Sequence, residues 1–457
     1  MQTYDAIIIG AGQAAIPLAF ALASKGKHVA LVEKDTVGGS CVNTGCTPTK
    51  AYVASAKRIH DARNAAQLGI SIPAGVKADL AEIKRRKDKL VQSSVEGLIT
   101  SLKKNKRIDL IEGTASFVSP ERLAVDGREI EGDFIFINVG ARPRVPSGFE
   151  NVDVLTNTEI LQLEELPEHL LVVGGSYVGL EFGQMFRRFG SRVTIVEKSD
   201  RLIGREDEDV SAAIKEILEQ EDIDFRMNAN CIAASRGVQG DIQLQVDCAD
   251  AMEEVSGSHV LLAAGRIPNT DTLQIEQAGV EIDDQGYIRV NDTLETNVPG
   301  IYALGDCNGK GAFTHTSYND YEIVSENLLQ GGNRKVSDRI LTYGLYIDPP
   351  LGRAGMTLTE ARLSGRNIRV GYMKMDKVAR ARERGETNGF MRVIVDAYTH
   401  RILGASILGA GGDELISGIL TAMYSGAPYT VIKDAVVPHP TVAELIPTML
   451  ESMEEVI

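Results

Sequence analysis

The chain has 457 residues, 43% hydrophobic and 24% charged, with a formal net charge of -15. The length corresponds to roughly three or four domains, and the composition is that of a folded globular protein. The negative charge argues against nucleic acid and anionic membrane surfaces as partners. Because the N-terminus lacks a signal-peptide pattern and no apolar run is long enough to span a bilayer, we expect a cytoplasmic protein.

A strand-turn-helix-strand pattern occurs twice, about 160 residues apart. The first copy covers residues 4–33 and the second residues 170–197. Each copy has the size of a unit that binds one dinucleotide, so the repeat predicts two dinucleotide sites.

The remaining segments predict further helices and a different end domain. We expect a long helix over residues 46–68 and an amphipathic helix over residues 85–104. One face of the second helix carries the apolar residues Leu90, Val91, Val95, Leu98, Ile99 and Leu102. From about residue 340 the pattern becomes alternating strands, at 390–395 and 402–408, followed by helices at 413–425 and 442–453. This order predicts an α+β end domain.

The turn of the first repeat, Gly-Ala-Gly-Gln-Ala-Ala at residues 10–15, fits the dinucleotide fingerprint with alanine in the last place. Gly10 permits the tight turn, and Gly12 lets a pyrophosphate approach the backbone at the helix N-terminus. Glu33 closes the following strand, where a carboxylate accepts hydrogen bonds from a ribose. The alternative is a structural glycine turn with a surface glutamate.

The second fingerprint departs from the pattern because its middle glycine is Ser176. Its other members are Gly174, Gly175 and Gly179, and Glu197 closes the next strand. A carboxylate there pairs with a free 2′-hydroxyl and repels a 2′-phosphate, which favours NADH over NADPH. The nearby cations Lys198 and Arg201 moderate that preference.

Residues 38–50, Gly-Gly-Ser-Cys-Val-Asn-Thr-Gly-Cys-Thr-Pro-Thr-Lys, hold two cysteines at the start of a predicted helix. Cys41 and Cys46 are close enough in sequence to form a small disulfide, and a helix N-terminus lowers the pKa of a nearby thiol. A zinc site would need further ligands at matching spacing, and none follows. The other three cysteines, Cys231, Cys248 and Cys307, are interpreted as structural.

This segment resembles the active-site signature of the flavoprotein disulfide reductases, the family of glutathione, lipoamide and mercuric reductases. The resemblance extends over essentially the whole chain. It implies that Cys46 lies against the flavin of FAD and that Cys41 exchanges with substrate. It also implies that Lys50 pairs with Glu181 beside the flavin N5, and that Tyr177 covers the nicotinamide pocket.

Two later motifs carry the same resemblance. Residues 296–303 with Gly305 and Asp306 are similar to the second flavin motif, in which the aspartate holds the ribitol. Residues 439–444, His-Pro-Thr-Val-Ala-Glu, resemble the acid-base motif, in which His439 reaches the partner subunit's cysteines and Glu444 orients it. His439-Pro440 is a candidate cis peptide. The implied FAD residues are Gly10, Gly12, Ala14, Glu33, Lys34, Gly39, Ser40, Gly140, Gly305 and Asp306, and the implied NAD residues are Gly174, Gly175, Ser176, Gly179, Glu197, Gly265 and Arg266.

The implied fold is α/β, with two Rossmann-like dinucleotide-binding domains, for FAD and NAD, and a C-terminal α+β dimerisation domain. We place the first part of the FAD domain at residues 1–147, the NAD(P) domain at 148–267, the second part of the FAD domain at 268–336 and the dimerisation domain at 337–457. No resident metal is expected. The implied assembly is a homodimer.

The implied activity is electron transfer from NAD(P)H through FAD to the Cys41-Cys46 disulfide, and on to a small-molecule disulfide, oxidant or metal ion, with a role in cell redox homeostasis. Residues 313–321 and 348–357 resemble the mercuric-reductase-like branch linked to reactive-chlorine resistance. The carboxy terminus lacks the vicinal cysteines of mercuric reductase proper. The alternatives are a dihydrolipoamide dehydrogenase and a non-catalytic FAD-binding scaffold or sensor.

Overall fold

The computed structural model describes residues 1–73, 75–238, 240–248 and 251–456. The predictions for the Cys231 and Cys248 side chains lie outside the described residues. Within the described part of the chain, no helix is long and apolar enough to cross a membrane.

The first sheet has seven strands and contains the first repeat. The carboxyl ends of its parallel strands lie side by side. Ile9 pairs with both Val32 and Ile137, and Ile137 also pairs with Ala303. The chain therefore leaves this sheet after Ile137 and returns to it more than 160 residues later, which is roughly the length of one domain. In spatial order the strands are Ile108–Glu112, Val29–Glu33, Gln2–Ile9, Arg128–Ile137, Arg122–Val125 and Ala115–Ser119, and Ile301–Ala303 pairs with Arg128–Ile137.

The second sheet contains the second repeat and is parallel throughout. Its three inner strands, at 169–173, 192–196 and 259–262, are largely buried on both faces, as their mainly apolar sequences require. In spatial order they are Ile223–Arg226, Arg192–Val196, His169–Val173, His259–Leu262 and Val154–Leu155. An antiparallel sheet of three strands lies beside it, formed by Ala229–Arg236, Ile242–Cys248 and Ala251–Gly257, and a two-stranded ladder joins Ala141–Pro143 to Arg266–Pro268.

The third sheet is antiparallel and begins at Thr342. The predicted strands at 390–395 and 402–408 are its central pair, so the prediction of an α+β end domain is confirmed. The six strands, in spatial order, are Thr342–Leu345, Leu351–Gly355, Ile402–Leu408, Phe390–Asp396, Ile368–Lys374 and Glu454–Val456.

Helices cover the sheets and differ from the predictions mainly at their ends. The helices are Ala15–Ser24, Gly39–Asn43, Cys46–Arg63, Leu80–Lys104, Tyr177–Phe189, Glu208–Glu219, Thr314–Gln330, Leu358–Leu363, Ala379–Arg384, Gly412–Tyr424, Thr430–Lys433 and Leu445–Glu451. Short 3-10 turns lie at Ala65–Leu68, Ile160–Gln162, Ile275–Ala278, Gly305–Asn308, Val336–Asp338 and Met375–Lys377.

Three predicted helix boundaries were wrong. The helix from Cys46 ends at Arg63 rather than residue 68, and at this end the Asn64 side chain donates to the His60 carbonyl at 3.0 Å as a cap. The next helix begins at Leu80 rather than residue 85, since Asp79 accepts from the Glu82 N–H at 3.0 Å as an N-cap. The last helix begins at Leu445 rather than residue 442.

The amphipathic face of Leu80–Lys104 is only partly buried. Leu102 is fully buried, whereas Leu90 is 43% exposed in the single chain. Leu98 and Ile99 pack against the core of the first sheet. The apolar pattern therefore predicted the helix correctly but not the burial of its whole face.

Candidate functional site

The two glycine turns have the same construction. Gly10 and Gly174 adopt positive φ angles of 91° and 116°. A Cβ on Gly10 would lie 2.5 Å from the Asn138 carbonyl oxygen, and one on Gly174 would lie 2.5 Å from that of Ala263. Only glycine therefore fits either turn without moving the neighbouring strand.

Each turn also forms a hydrogen bond with a glutamate carboxylate. Glu33 Oε2 accepts from the Ala11 N–H at 2.7 Å, and Glu197 Oε2 accepts from the Gly175 N–H at 2.6 Å. Both fingerprints thus have the strand-turn-helix context with an acidic residue at the end of the second strand. This is the arrangement of a dinucleotide-binding unit.

A cavity of about 1050 Å³ extends from the first turn to the two cysteines. Its volume is at the upper end of the range for small-molecule sites. Its lining includes the predicted FAD residues Gly10, Gly12, Glu33, Lys34, Gly39, Ser40, Gly140 and Asp306. Ala14 and Gly305 are buried behind this lining, and the Gly305 N–H donates to Asp320 Oδ2 at 2.8 Å.

The cavity has the features that an FAD requires. The Gly10 and Gly12 turn leaves backbone space for a pyrophosphate. At the other end, Arg266 Nε is buried, has no hydrogen-bond partner within the described residues, and lies 3.7 Å from Asp306 Oδ2. Burial raises the pKa of Asp306. The unpaired donor and the carboxyl group are suited to a polyhydroxyl chain.

The part played by Asn138 was not predicted from the sequence. Its side chain is buried, accepts from the Ala15 N–H at 3.2 Å and donates to the Leu304 carbonyl at 2.7 Å. A Cβ on Gly12 would lie 2.8 Å from Asn138 Oδ1. Asn138 thus links the two flavin motifs, and its position directly after a buried strand was the available signal.

The two cysteine sulfurs interact with each other and with a third residue. Cys46, the first residue of its helix, opens onto the cavity, and its sulfur lies 3.2 Å from Thr314 Oγ1. A hydrogen bond with Cys41 lowers the pKa of Cys46 to about 6, assisted by Thr314 and by the charge of Lys50, and opposed by burial. The same hydrogen bond, with burial, raises the pKa of Cys41. The two opposite shifts favour Cys46 over Cys41 as the thiolate of the reduced pair.

Lys50 and Glu181 form an ion pair in the same cavity. Lys50 Nζ lies 2.5 Å from Glu181 Oε2, and Glu181 is only 4% exposed. The other carboxylate oxygen accepts from the Tyr346 N–H at 3.0 Å. The pair joins the cysteine helix Cys46–Arg63 to the helix of the second repeat, as the resemblance implied.

Tyr177 belongs to a cluster of aromatic rings at the boundary of the two nucleotide-binding units. Its ring centroid lies 5.5 Å from that of Phe313, which also stacks on Tyr343 at 5.5 Å. Burial raises the pKa of Tyr177. Because Phe313 directly precedes Thr314, this cluster connects the predicted nicotinamide gate with the residue that contacts Cys46.

The predicted NAD residues lie mostly outside the cavity. Gly174, Gly175, Ser176 and Gly179 form the second turn and the start of its helix, and a Cβ on Gly179 would lie 2.0 Å from the Gly174 carbonyl oxygen. Gly265 has a φ angle of 103° and directly precedes Arg266. Arg266 lines the cavity beside Asp306, so the structure places this predicted NAD residue next to a predicted FAD residue.

His439 lies apart from the cavity of its own chain. It is not among the residues that line the cavity, and its side chain is 78% exposed. The ring Nδ1 lies 2.9 Å from Glu444 Oε2, and Nε2 has no hydrogen-bond partner among the described residues. The His439-Pro440 peptide is cis, as predicted, and Asp348-Pro349 is also cis. No group of three or more potential metal ligands occurs within the part of the chain that the structure describes.

Comparison with known families agrees with this geometry. Residues 4–321 match the model of pyridine nucleotide-disulphide oxidoreductases, and residues 342–450 match the dimerisation domain of the same family. The chain is 37% identical to a probable pyridine nucleotide-disulfide oxidoreductase, RclA, of Escherichia coli, over 97% of this chain and 98% of that protein.

The chain is also 32% identical to a dihydrolipoyl dehydrogenase of Thermus scotoductus, over 100% of this chain and 98% of that protein. Among solved structures, it matches a Cu(II) complex of the HOCl-induced flavoprotein disulfide reductase RclA from Escherichia coli. The TM-score is 0.90 and the identity 35%, covering 99% of both chains. The chain therefore belongs to the pyridine nucleotide-disulphide oxidoreductase family, as an FAD-dependent enzyme driven by NAD(P)H.

Proposed function

We propose that the enzyme uses NADH to reduce the Cys41-Cys46 disulfide through FAD and passes the electrons from the dithiol to an oxidant or metal ion. One observation carries this proposal: the first dinucleotide turn, the Lys50-Glu181 pair and both cysteines line the same cavity. The cavity residues Gly10, Gly12, Glu33 and Asp306 would hold FAD, which would supply hydride acceptance from the nicotinamide and two-electron transfer to the disulfide. The disulfide takes up two electrons and one proton, which gives a Cys41 thiol and a Cys46 thiolate.

Residues of the protein control the protonation of the two cysteines and cover the nicotinamide pocket. Cys46, with its pKa lowered to about 6, is held as a thiolate by Cys41, Thr314 and Lys50. Cys41 keeps its proton until a base removes it, because its pKa is raised. We propose that His439 is that base, with its tautomer fixed by Glu444, and that Tyr177 covers the nicotinamide pocket. In this assignment Cys41 exchanges with the acceptor and Cys46 resolves the adduct.

The complete site is proposed to require a homodimer. The match to a dimerisation domain and the 78% exposed His439 side chain support this arrangement. Val436 is 100% exposed, and Val431 and Tyr424 are 57% and 56% exposed, so exposed apolar residues precede His439 along the end domain. A second copy would cover them and bring its own His439 toward the cysteines.

The nucleotide preference and the domain boundaries are part of the same proposal. The Glu197 carboxylate, which also accepts from the Ser199 N–H at 2.8 Å, favours NADH over NADPH. Boundaries after residues 147, 267 and 336 are supported by the return of Ile301–Ala303 to the first sheet and by the start of the third sheet at Thr342.

The electron acceptor is the least constrained element of the proposal. The similar structure is a Cu(II) complex of an HOCl-induced enzyme, which supports a metal ion or oxidant as acceptor. The identity to a dihydrolipoyl dehydrogenase supports dihydrolipoamide oxidation as the second candidate. The test is steady-state turnover of the purified FAD enzyme with NADH and Cu(II), with NADH and small disulfides, and with NAD and dihydrolipoamide. We expect Cu(II) turnover to depend on Cys41; fast dihydrolipoamide oxidation alone would support the second candidate.

A further inference from the structure

Tyr346 contacts both members of the Lys50-Glu181 ion pair. Its backbone N–H donates to Glu181 Oε1 at 3.0 Å, and Lys50 Nζ lies 4.3 Å from the centroid of its ring. Lys50 Nζ also lies 2.5 Å from Glu181 Oε2. The ammonium group is therefore held by a carboxylate and by an aromatic face together.

We infer that Tyr346 is a positioning residue whose aromatic ring holds the Lys50 ammonium beside Glu181 and within electrostatic range of the Cys46 sulfur. This inference rests on the proposed function, in which Cys46 is the thiolate next to the flavin. The negative face of an aromatic ring attracts an ammonium at this separation. A lysine side chain has several free rotatable bonds, so one ion-pair contact alone leaves it mobile.

The charges around Tyr346 and Cys46 make the position of Lys50 important. Lys50 lowers the pKa of Cys46, whereas Glu181 raises it, after the larger effects of the Cys41 hydrogen bond, burial and Thr314. Tyr346 faces further acidic groups, Asp413 and Glu414, in the first turn of Gly412–Tyr424. Burial, followed by these carboxylates, raises the pKa of the Tyr346 phenol, so the ring stays neutral.

If Lys50 were displaced, the negative charge of Glu181 would act on the Cys46 thiolate without the opposing charge of Lys50, and the pKa of Cys46 would rise. The backbone N–H of residue 346 continues to donate to Glu181 whatever its side chain is. Substitution of the side chain consequently separates the effect of the ring on Lys50 from the support of Glu181. The phenylalanine variant keeps the ring, while a leucine variant keeps apolar bulk without an aromatic face.

The test is a pH titration of the thiolate-to-flavin charge-transfer absorbance in the two-electron-reduced holoenzyme. We expect Tyr346→Phe to titrate like the wild type. Tyr346→Leu should raise the midpoint by about half a pH unit, a roughly three-fold decrease in the acid ionisation constant of Cys46. The matched control is Tyr372→Leu, because the Tyr372 ring also lies under a cation, with the Arg392 guanidinium carbon 6.0 Å from its centroid, but Tyr372 does not line the cavity. Its midpoint should not change.

A second series of variants tests the inference even if Tyr346→Leu does not fold. Phenylalanine analogues with increasing fluorine content at position 346 keep the shape of the ring and weaken its negative face stepwise. In the two-electron-reduced holoenzyme, the midpoint of the charge-transfer titration should rise with each fluorine added. A midpoint that is constant across the series overturns the role of Tyr346. Absence of a charge-transfer band in the wild type would instead contradict the proposed function itself.

Discussion

Glu33 and Glu197 occupy equivalent positions in the two repeats. Each carboxylate accepts from the backbone N–H of the second residue of its glycine turn, at 2.7 Å and 2.6 Å, and from a backbone N–H two residues further along its own chain segment. The two acidic residues are therefore held in place before any nucleotide binds. A fixed carboxylate discriminates between ligands better than a mobile one, because it does not move away from a repelled charge.

The position of Glu197 predicts the nucleotide preference. We expect NADH to exceed NADPH in kcat/KM, since a 2′-phosphate beside a fixed carboxylate is repelled. Glu197→Gln removes the charge and should lower the ratio of kcat/KM for NADH to kcat/KM for NADPH by about ten-fold, equivalent to about 1.4 kcal/mol. Glu33→Gln is the matched control and should weaken FAD retention while leaving the ratio unchanged. A clear preference of the wild type for NADPH would refute the assignment.

The two cysteines should have different spectroscopic effects. Two-electron reduction should produce a long-wavelength charge-transfer band, because a Cys46 thiolate lies next to the oxidised flavin. Cys46→Ser should remove this band, and Cys41→Ser should show it without reductant, since Cys46 is then always free. Survival of the band in Cys46→Ser would show that the roles of the two cysteines are assigned wrongly.

The same band should depend on pH in a defined direction. The pKa of Cys46 is lowered to about 6, so the thiolate is present above that pH and is lost as the pH falls through about 6. Cys41→Ala should move the loss of the band to higher pH, because the hydrogen bond with Cys41 contributes most to the lowered pKa. Absorbance titration of the two-electron-reduced wild type and of Cys41→Ala without reductant measures this, because the variant has no disulfide and keeps its flavin oxidised. An unchanged midpoint in Cys41→Ala would contradict the thiol-thiolate hydrogen bond.

A buried ion pair joins the second unit to the end domain. Glu206 and Arg353 lie 3.2 Å apart with side chains 0% and 1% exposed, and the Tyr343 hydroxyl donates to Glu206. Arg353→Leu leaves a buried carboxyl group without its cation and should cost about 3 to 5 kcal/mol. Tyr343→Phe removes one hydrogen bond and should cost about 1 to 2 kcal/mol. Denaturant unfolding measures both, and equal losses would argue against the ion pair as the dominant contact.

The sequence predicted the architecture of the two repeats because their signals are local. The buried strand, glycine turn and helix follow one another within about 30 residues, and the same steric rule selects glycine at Gly10 and Gly174. The helix boundaries at Arg63 and Leu80 depended on side-chain capping by Asn64 and Asp79, which hydrophobic periodicity does not report.

The candidate site was predictable where short motifs carry it and not where distant segments meet. The Lys50-Glu181 contact, between residues 131 positions apart, followed from the family resemblance and not from spacing. Thr314 lies in the segment 313–321, whose resemblance to one branch of the family assigned it no role, and Tyr346 lies outside the motifs. Their contacts with Cys46 and Lys50 therefore emerged only from the fold. Asn138 was missed for the same reason.

The central claim is that the Cys41-Cys46 pair of one subunit works with His439 of the other. The most direct measurement is the activity of mixed dimers between a His439→Ala chain and a Cys41→Ser chain, each inactive alone and each shown to bind FAD. In a mixed dimer, one site combines an intact cysteine pair with an intact His439, whereas the other site has neither Cys41 nor His439. We expect recovery of about half of the wild-type turnover per dimer, limited to the mixed species. Mixed dimers that form, retain FAD and recover no activity would contradict the account.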